Sequence, residues 1–184
     1  MPIQTPICDF GQKALPFELK STDNKIISLN DIKGEKGTLI MFICNHCPYV
    51  KAVTKELVED SNELKKVGIN TVAICSNDFI NYPDDSFDNM IKFSKDNNFN
   101  FPYVHDDTQE IAKSYDAVCT PDFFGYNKNL ELQYRGRLRE LKNFVPVKDG
   151  ESDLLKSMKQ IAETGKGPQN QIPSAGCGIK WKYD

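Results

Sequence analysis

Thr38-Leu39-Ile40-Met41-Phe42-Ile43 is a near-continuous apolar run, and it opens directly into Cys44-Asn45-His46-Cys47-Pro48-Tyr49-Val50. Branched and aromatic residues with no polar alternation read as a central strand buried on both faces. The period then changes. Val50, Val53, Leu57, Leu64 and Val67 fall largely on one helical face, among Lys, Glu and Asp. Pro48 suits the first helical position, where a missing N–H costs nothing, and Gly68 suits the end. Ile69–Cys75, INTVAIC, reads as a second buried strand. Strand, long helix and strand make the unit from which parallel sheets are built.

Residues 17–19 and 26–29 are short apolar segments on either side of the turn-forming residues 21–24, a hairpin pattern. Residues 34–37 form a turn. Beyond Cys75, the polar stretch 76–85 is a loop at the C-terminal end of the second strand. Phe87, Met90, Ile91 and Ser94 suggest a helix that ends in 97–102, and residues 109–115 suggest a short one. Pro121 precedes a strand over 122–126, residues 127–129 turn, and 131–135 return as a second hairpin. Residues 137–150 have no clear pattern. Leu154, Leu155, Met158, Ile161 and Ala162 mark the last helix, closed by Gly165 and Gly167. The expected fold is α/β, with a mixed central sheet between helical layers and an N-terminal hairpin extension. One domain is expected over 1–184. Its tail, 166–184, is aperiodic but carries Trp181 and Tyr183, so it is expected to pack back as an irregular segment.

Composition excludes several classes. The 184 residues hold 23 basic and 26 acidic side chains, a formal charge of -3 with no basic cluster, so nucleic acid is not an expected partner. No apolar run approaches the roughly 20 residues that span a bilayer. The opening MPIQTPICDF has neither the basic start nor the apolar stretch of a signal peptide, so a cytoplasmic location is expected, with no membrane partner. No cofactor motif is present. The six cysteines are Cys8, Cys44, Cys47, Cys75, Cys119 and Cys177, one tight pair and four singles. In a cytosolic chain with its own core, a tight pair argues for catalysis or metal binding rather than a disulfide framework.

The pair sits where a strand turns into a helix. Two-residue spacing there can bring two sulfurs within bonding distance. Cys47 falls at the cap, where the first helical amides lack intrahelical partners and the dipole is positive, so its thiolate should be stabilised. A protonated His46 beside it would act the same way. Cys47 would attack a disulfide or other oxidised substrate, and Cys44 would resolve the product. Two readings stand beside this one. Buried cysteines can be small apolar residues. Cys44, Cys47 and His46, with His105 or Cys177, can also be weighed as metal ligands, although a second CxxC pair is absent and no metal is expected.

At these residues the chain resembles the thioredoxin-like superfamily, and within it the AhpC/TSA or redoxin branch, from about residue 17 to 136. The resemblance makes Cys47 the nucleophile, with Val50 in the place of the usual partner and the second cysteine, Cys44, upstream; by CxxC order alone Cys44 would be the attacking residue, and Pro48 at the helix start favours Cys47. Cys47-Pro48 resembles the peroxidatic Cys-Pro of peroxiredoxins, with Cys44 where those carry Thr or Ser. Thr120-Pro121 resembles the cis-proline site, which implies a cis bond beside the nucleophile and a backbone edge at Thr120 able to pair with an extended substrate.

Around that frame, Cys119 is either near the site or a core thiol. Cys177 would be a resolving cysteine if the tail crosses the active face. Arg135 or Arg137 would hold an anion or peroxide oxygen, or simply be solvated. Cys8, Cys75 and His105 read as structural. The expected activity is a thiol–disulfide oxidoreductase, with a thiol peroxidase as the close alternative and a non-enzymatic binding or metal-carrying module as the distant one. Its partners would be a disulfide or hydroperoxide substrate and a thiol reductant such as a thioredoxin or glutathione system.

Overall fold

The computed structural model describes residues 1–183. In chain order its elements are β1 (Ile3–Gln4), β2 (Glu18–Ser21), β3 (Ile26–Ser28), α1 (Leu29–Ile32), β4 (Gly37–Phe42) and α2 (Pro48–Lys66). Then come β5 (Ile69–Cys75), α3 (Phe87–Asp96), β6 (Tyr103–His105), α4 (Glu110–Ser114), β7 (Cys119–Thr120) and β8 (Asp122–Asn127). The last are β9 (Leu132–Tyr134), β10 (Leu141–Lys142), β11 (Val145–Pro146), α5 (Asp153–Thr164) and β12 (Ala175–Gly178).

The main sheet has the order β3-β2-β6-β5-β4-β8-β9. β4, β5 and β6 run parallel, and antiparallel pairs β2–β3 and β8–β9 close the two edges. The strand β4 is buried at every position, as a strand covered on both faces must be. Leu39 and Met41 enter one core with Leu57 and Leu64 of α2 and Leu154, Met158 and Ile161 of α5. Ile40 and Phe42 enter the other, with Leu29 and Ile32 of α1 and Ala112 of α4. Each large side chain sealed in this way contributes about 1.5–3 kcal/mol over its exposed state.

Several short elements are not legible in the sequence, β1, β7, β10 and β11 among them, and three others bear on the frame of the site. β6 is three residues long, too short for alternation to register. It is a strand because β5 and β2 pair with it from both sides. α1 is a single turn, held by a capping box between Ser28 and Asp31. The tail expected to be irregular contains β12, with the sequence Ala-Gly-Cys-Gly, which has little intrinsic strand preference. Pairing imposes the strand: β12 lies between β1 and β7 in a separate three-stranded sheet. Gly176 is required there, because a Cβ would come within 2.0 Å of the Thr120 carbonyl oxygen.

The joint between α2 and α5 gives a stability prediction. Ser152 caps α5 by accepting the Leu155 N–H, and its hydroxyl donates to Asp60 Oδ2 at 2.6 Å. Burial pushes the Asp60 carboxyl up to about 6. A carboxyl whose folded pKa lies above its unfolded value adds stability at low pH and loses it as pH rises through the folded pKa. Asp60→Asn should therefore gain stability over wild type between pH 4 and 6. The difference should reach on the order of 2 kcal/mol near neutrality. Urea denaturation of both proteins across that range measures it, and a difference that does not change with pH would refute it.

Candidate active site

The site assembles where the turn after β4 meets the turn between β7 and β8. β4 and β8 are neighbours, with Phe42 paired to Asp122, so the segments that follow and precede them lie side by side. The Thr120–Pro121 peptide is cis. Cys47 is the N-cap of α2 with Pro48 at the first helical position, as the sequence suggests. Cys44 Sγ lies 3.5 Å from Thr120 Oγ1, and the Cys47 thiol donates to the Thr120 carbonyl at 3.2 Å. Thr120 thus touches both sulfurs. All six cysteines are free thiols.

The electrostatics are asymmetric. Hydrogen bonding from the Cys44 thiol pulls the Cys47 thiol down to about 4, against the cost of burial, with further help from the Cys177 thiol and the Val50 and Cys177 amides. Cys44 is held well above its ordinary value, first by that same contact and then by burial and the Asp85 charge. The Thr120 carbonyl favours the protonated Cys47, but it is one acceptor against several donors. The expectation that the helix amides dominate needs correcting. The neighbouring thiol is the larger cause, and the Val50 amide at the helix mouth is a smaller one. Both sulfur-bearing residues have no solvent exposure.

His46 does not serve Cys47. Its Nδ1 lies 2.7 Å from Asp85 Oδ2, an ion-pair distance without the approach of a linear hydrogen bond, and its ring stacks on Tyr82. Asp85 is fully buried and also accepts the Asn45 N–H and the Asn77 amide, each at 2.8 Å. Tyr103 donates to Asn45 Oδ1 at 2.7 Å. Asn45, His46, Asp85 and Tyr103 therefore fix the turn that carries the two cysteines. Asp85 is the residue the sequence does not flag, since it ends a short 3-10 turn, Pro83–Asp85, in a polar stretch with no spacing that points to Cys44.

The metal reading meets a different ligand set from the one expected. Among the described residues, ligating atoms of Cys44, His46 and Asp85 lie within 4.8 Å of one another, without Cys47, His105 or Cys177. Asp85 also accepts the Asn45 N–H and the Asn77 amide, so the same residues hold the turn together through protein hydrogen bonds.

The remaining candidates separate clearly. Cys177, in β12, pairs with Thr120 and packs against the same core as Cys47. Cys119 is buried, its thiol donating to the Pro121 carbonyl at 3.6 Å, and burial pushes its pKa up. Arg135 is not solvated: it is buried, with its Nε and Nη2 on the two oxygens of Asp122. That guanidinium is committed to the turn after Pro121 and is not free to hold a peroxide oxygen. Arg137 pairs with Asp153. His105 packs between Phe79 and Phe87. Cys75 is core, and Cys8 packs beside the other core.

A model of the AhpC/TSA family matches residues 10–141. The chain is similar over its full length to an uncharacterised conserved protein from Geobacillus kaustophilus, at 41% identity and a TM-score of 0.92, covering 98% of that chain. It is similar over the full length of both chains to a hypothetical protein from Sinorhizobium meliloti, at 29% identity and a TM-score of 0.90. The thioredoxin domain of a thiol-disulfide oxidoreductase from Bacteroides vulgatus matches 68% of this chain and 86% of its own, at 19% identity and a TM-score of 0.59, a likeness of fold. No curated protein matches.

Proposed function

Because the chain belongs to the AhpC/TSA family, of thioredoxin-like fold, we propose that it is a thiol–disulfide oxidoreductase whose nucleophile is Cys47 and whose partner thiol is Cys44. One arrangement carries this reading: Thr120 touches both sulfurs at the mouth of α2, where Cys47 caps the helix and is favoured as thiolate while Cys44 keeps its proton. That division of labour suits a nucleophile and the thiol that follows it. The Cys47 thiolate attacks one sulfur of a substrate disulfide, and the other sulfur leaves as a thiolate. Cys44, deprotonated as it reacts, then attacks the Cys47 sulfur of the mixed disulfide. The substrate departs reduced, and a Cys44–Cys47 disulfide remains for a thiol reductant to reopen.

Hydroperoxide reduction by the same residues is the second reading. The complete burial of both sulfurs favours it, since a peroxide needs a narrower opening than a protein disulfide. Here Cys47 attacks one peroxide oxygen, the O–O bond breaks, and an alcohol or water leaves. The sulfenic acid then condenses with the Cys44 thiol, releasing water. Both readings need Cys47 ionised at neutral pH. Its thiolate absorbance in the ultraviolet should titrate at about 4 and should be missing from Cys47→Ser. A titration at the ordinary thiol value, or one unchanged in Cys47→Ser, would overturn both.

A further inference from the structure

The tail strand β12 meets the site in a way that a surface brace would not require. Its antiparallel pairing with β7 sets Cys177 opposite Thr120 and Gly178 opposite Cys119. Thr120 is the residue that touches both Cys44 and Cys47, so this register brings a third sulfur to the same backbone position. The Cys177 thiol and amide both act on the Cys47 sulfur. The strand is held from both sides. β1 pairs with it, Thr5 and Ser174 exchange hydrogen bonds, and the Ser174 hydroxyl donates to the Pro121 carbonyl. Gly176 lets the backbone approach, where a Cβ would strike the Thr120 carbonyl. Cys44 and Cys47 are closed to solvent, while Cys177 is partly open.

Resting on the redox reading of Cys47, we infer that β12 is an internal extended substrate, and that Cys177 carries the disulfide from the buried pair to the surface. The step is redox-neutral. The Cys177 sulfur attacks the Cys47 sulfur of the Cys44–Cys47 disulfide. The Cys44–Cys47 bond breaks as the Cys47–Cys177 bond forms, and Cys44 leaves and takes up the proton that Cys177 gives. A dithiol reductant then attacks the accessible Cys177 sulfur and expels Cys47. In this second step Cys47 leaves readily, because a low thiol pKa speeds departure. The reductant's second thiol frees Cys177. An outside protein therefore meets the tail rather than the buried pair. The occupied β7 edge is closed to a second extended chain while β12 is in place.

The test is a timed oxidation of the full chain with equimolar cystamine, alkylation of free thiols, and peptide mapping, followed by re-reduction with thioredoxin or with dithiothreitol. Wild type should show a Cys44–Cys47 disulfide early and a Cys47–Cys177 disulfide later. Cys177→Ser should stop at Cys44–Cys47 and lose at least about tenfold in re-reduction by thioredoxin, with a smaller loss toward dithiothreitol. Gly176→Ala, which keeps all three sulfurs but forces the strand away from Thr120, should lose the Cys47–Cys177 species. The inference is overturned if wild type never forms that species, or if thioredoxin reduces Cys177→Ser as fast as wild type. If Cys47 enters no disulfide in any of the proteins, the redox reading itself fails and the relay goes with it.

Discussion

Cys47→Ser should lose turnover toward disulfides and hydroperoxides alike by at least roughly three orders of magnitude. The reason is chemical. A serine hydroxyl in the same place has no comparable acidity, and the groups that stabilise a thiolate here have no general base to support an alkoxide. His46, the histidine nearest in sequence, is turned to Asp85. The variant should stay folded, since Cys47 and Ser are close in volume and the cap position favours Ser. Its denaturation midpoint should lie near that of wild type, which separates lost chemistry from lost structure. Turnover within tenfold of wild type would remove Cys47 from the mechanism.

Cys44→Ser divides the two substrate readings. Toward disulfides, the first attack still occurs, but the mixed disulfide waits for outside thiol, so turnover falls and the mixed species accumulates. Toward hydroperoxides, the sulfenic acid still forms and persists until a reductant meets it. The same substitution alters the Cys47 thiolate, because the Cys44 thiol is its largest stabilising contact. A hydroxyl donor in that place keeps part of the effect. Cys44→Ala removes it, and the thiolate titration should move upward further in Cys44→Ala than in Cys44→Ser.

The sequence carries the architecture wherever burial is two-sided or periodic. The apolar run of β4 and the helical face of α2 are readable because burial dictates every residue in them. Cys47-Pro48 marks the helix mouth for the same local reason. What escapes is made by partners distant in sequence. β12 is a strand only because β1 and β7 flank it, and Asp85 matters only because its loop folds over the turn at Asn45 and His46. The position of Arg135 is the instructive miss. An arginine at the end of the return strand reads as an anion holder or as solvated, yet with β9 paired to β8 it is buried against Asp122. The partition of charge between Cys44 and Cys47 also lies beyond spacing, because CxxC fixes proximity and not which sulfur keeps the proton.

The pair beneath the cis-proline turn should be the most costly polar contact to break. Asp122 Oδ2 accepts from Arg135 Nη2 at 2.9 Å and from the Val118 N–H at 3.0 Å, while Oδ1 accepts from Arg135 Nε at 3.2 Å. Arg135 also donates to the Asp116 carbonyl and lies over the Phe124 ring at 4.4 Å. Both members are buried, so Asp122→Ala strands a guanidinium without its anion, and about 3–5 kcal/mol of stability should go with it. Asp122→Ala combined with Arg135→Met removes the stranded charge and should recover much of that loss, since a buried pair is often replaceable by apolar atoms. The comparison separates a charge penalty from a packing defect. Denaturant midpoints of the single and double variants supply it, and a loss below about 1 kcal/mol in Asp122→Ala would refute the claim. The effect should reach the chemistry too. Asp122 follows Pro121 directly and braces the approach to Thr120, whose carbonyl and hydroxyl meet the two sulfurs. A loosened turn should shift the Cys47 titration, and a purely global loss of stability would leave that titration where it is.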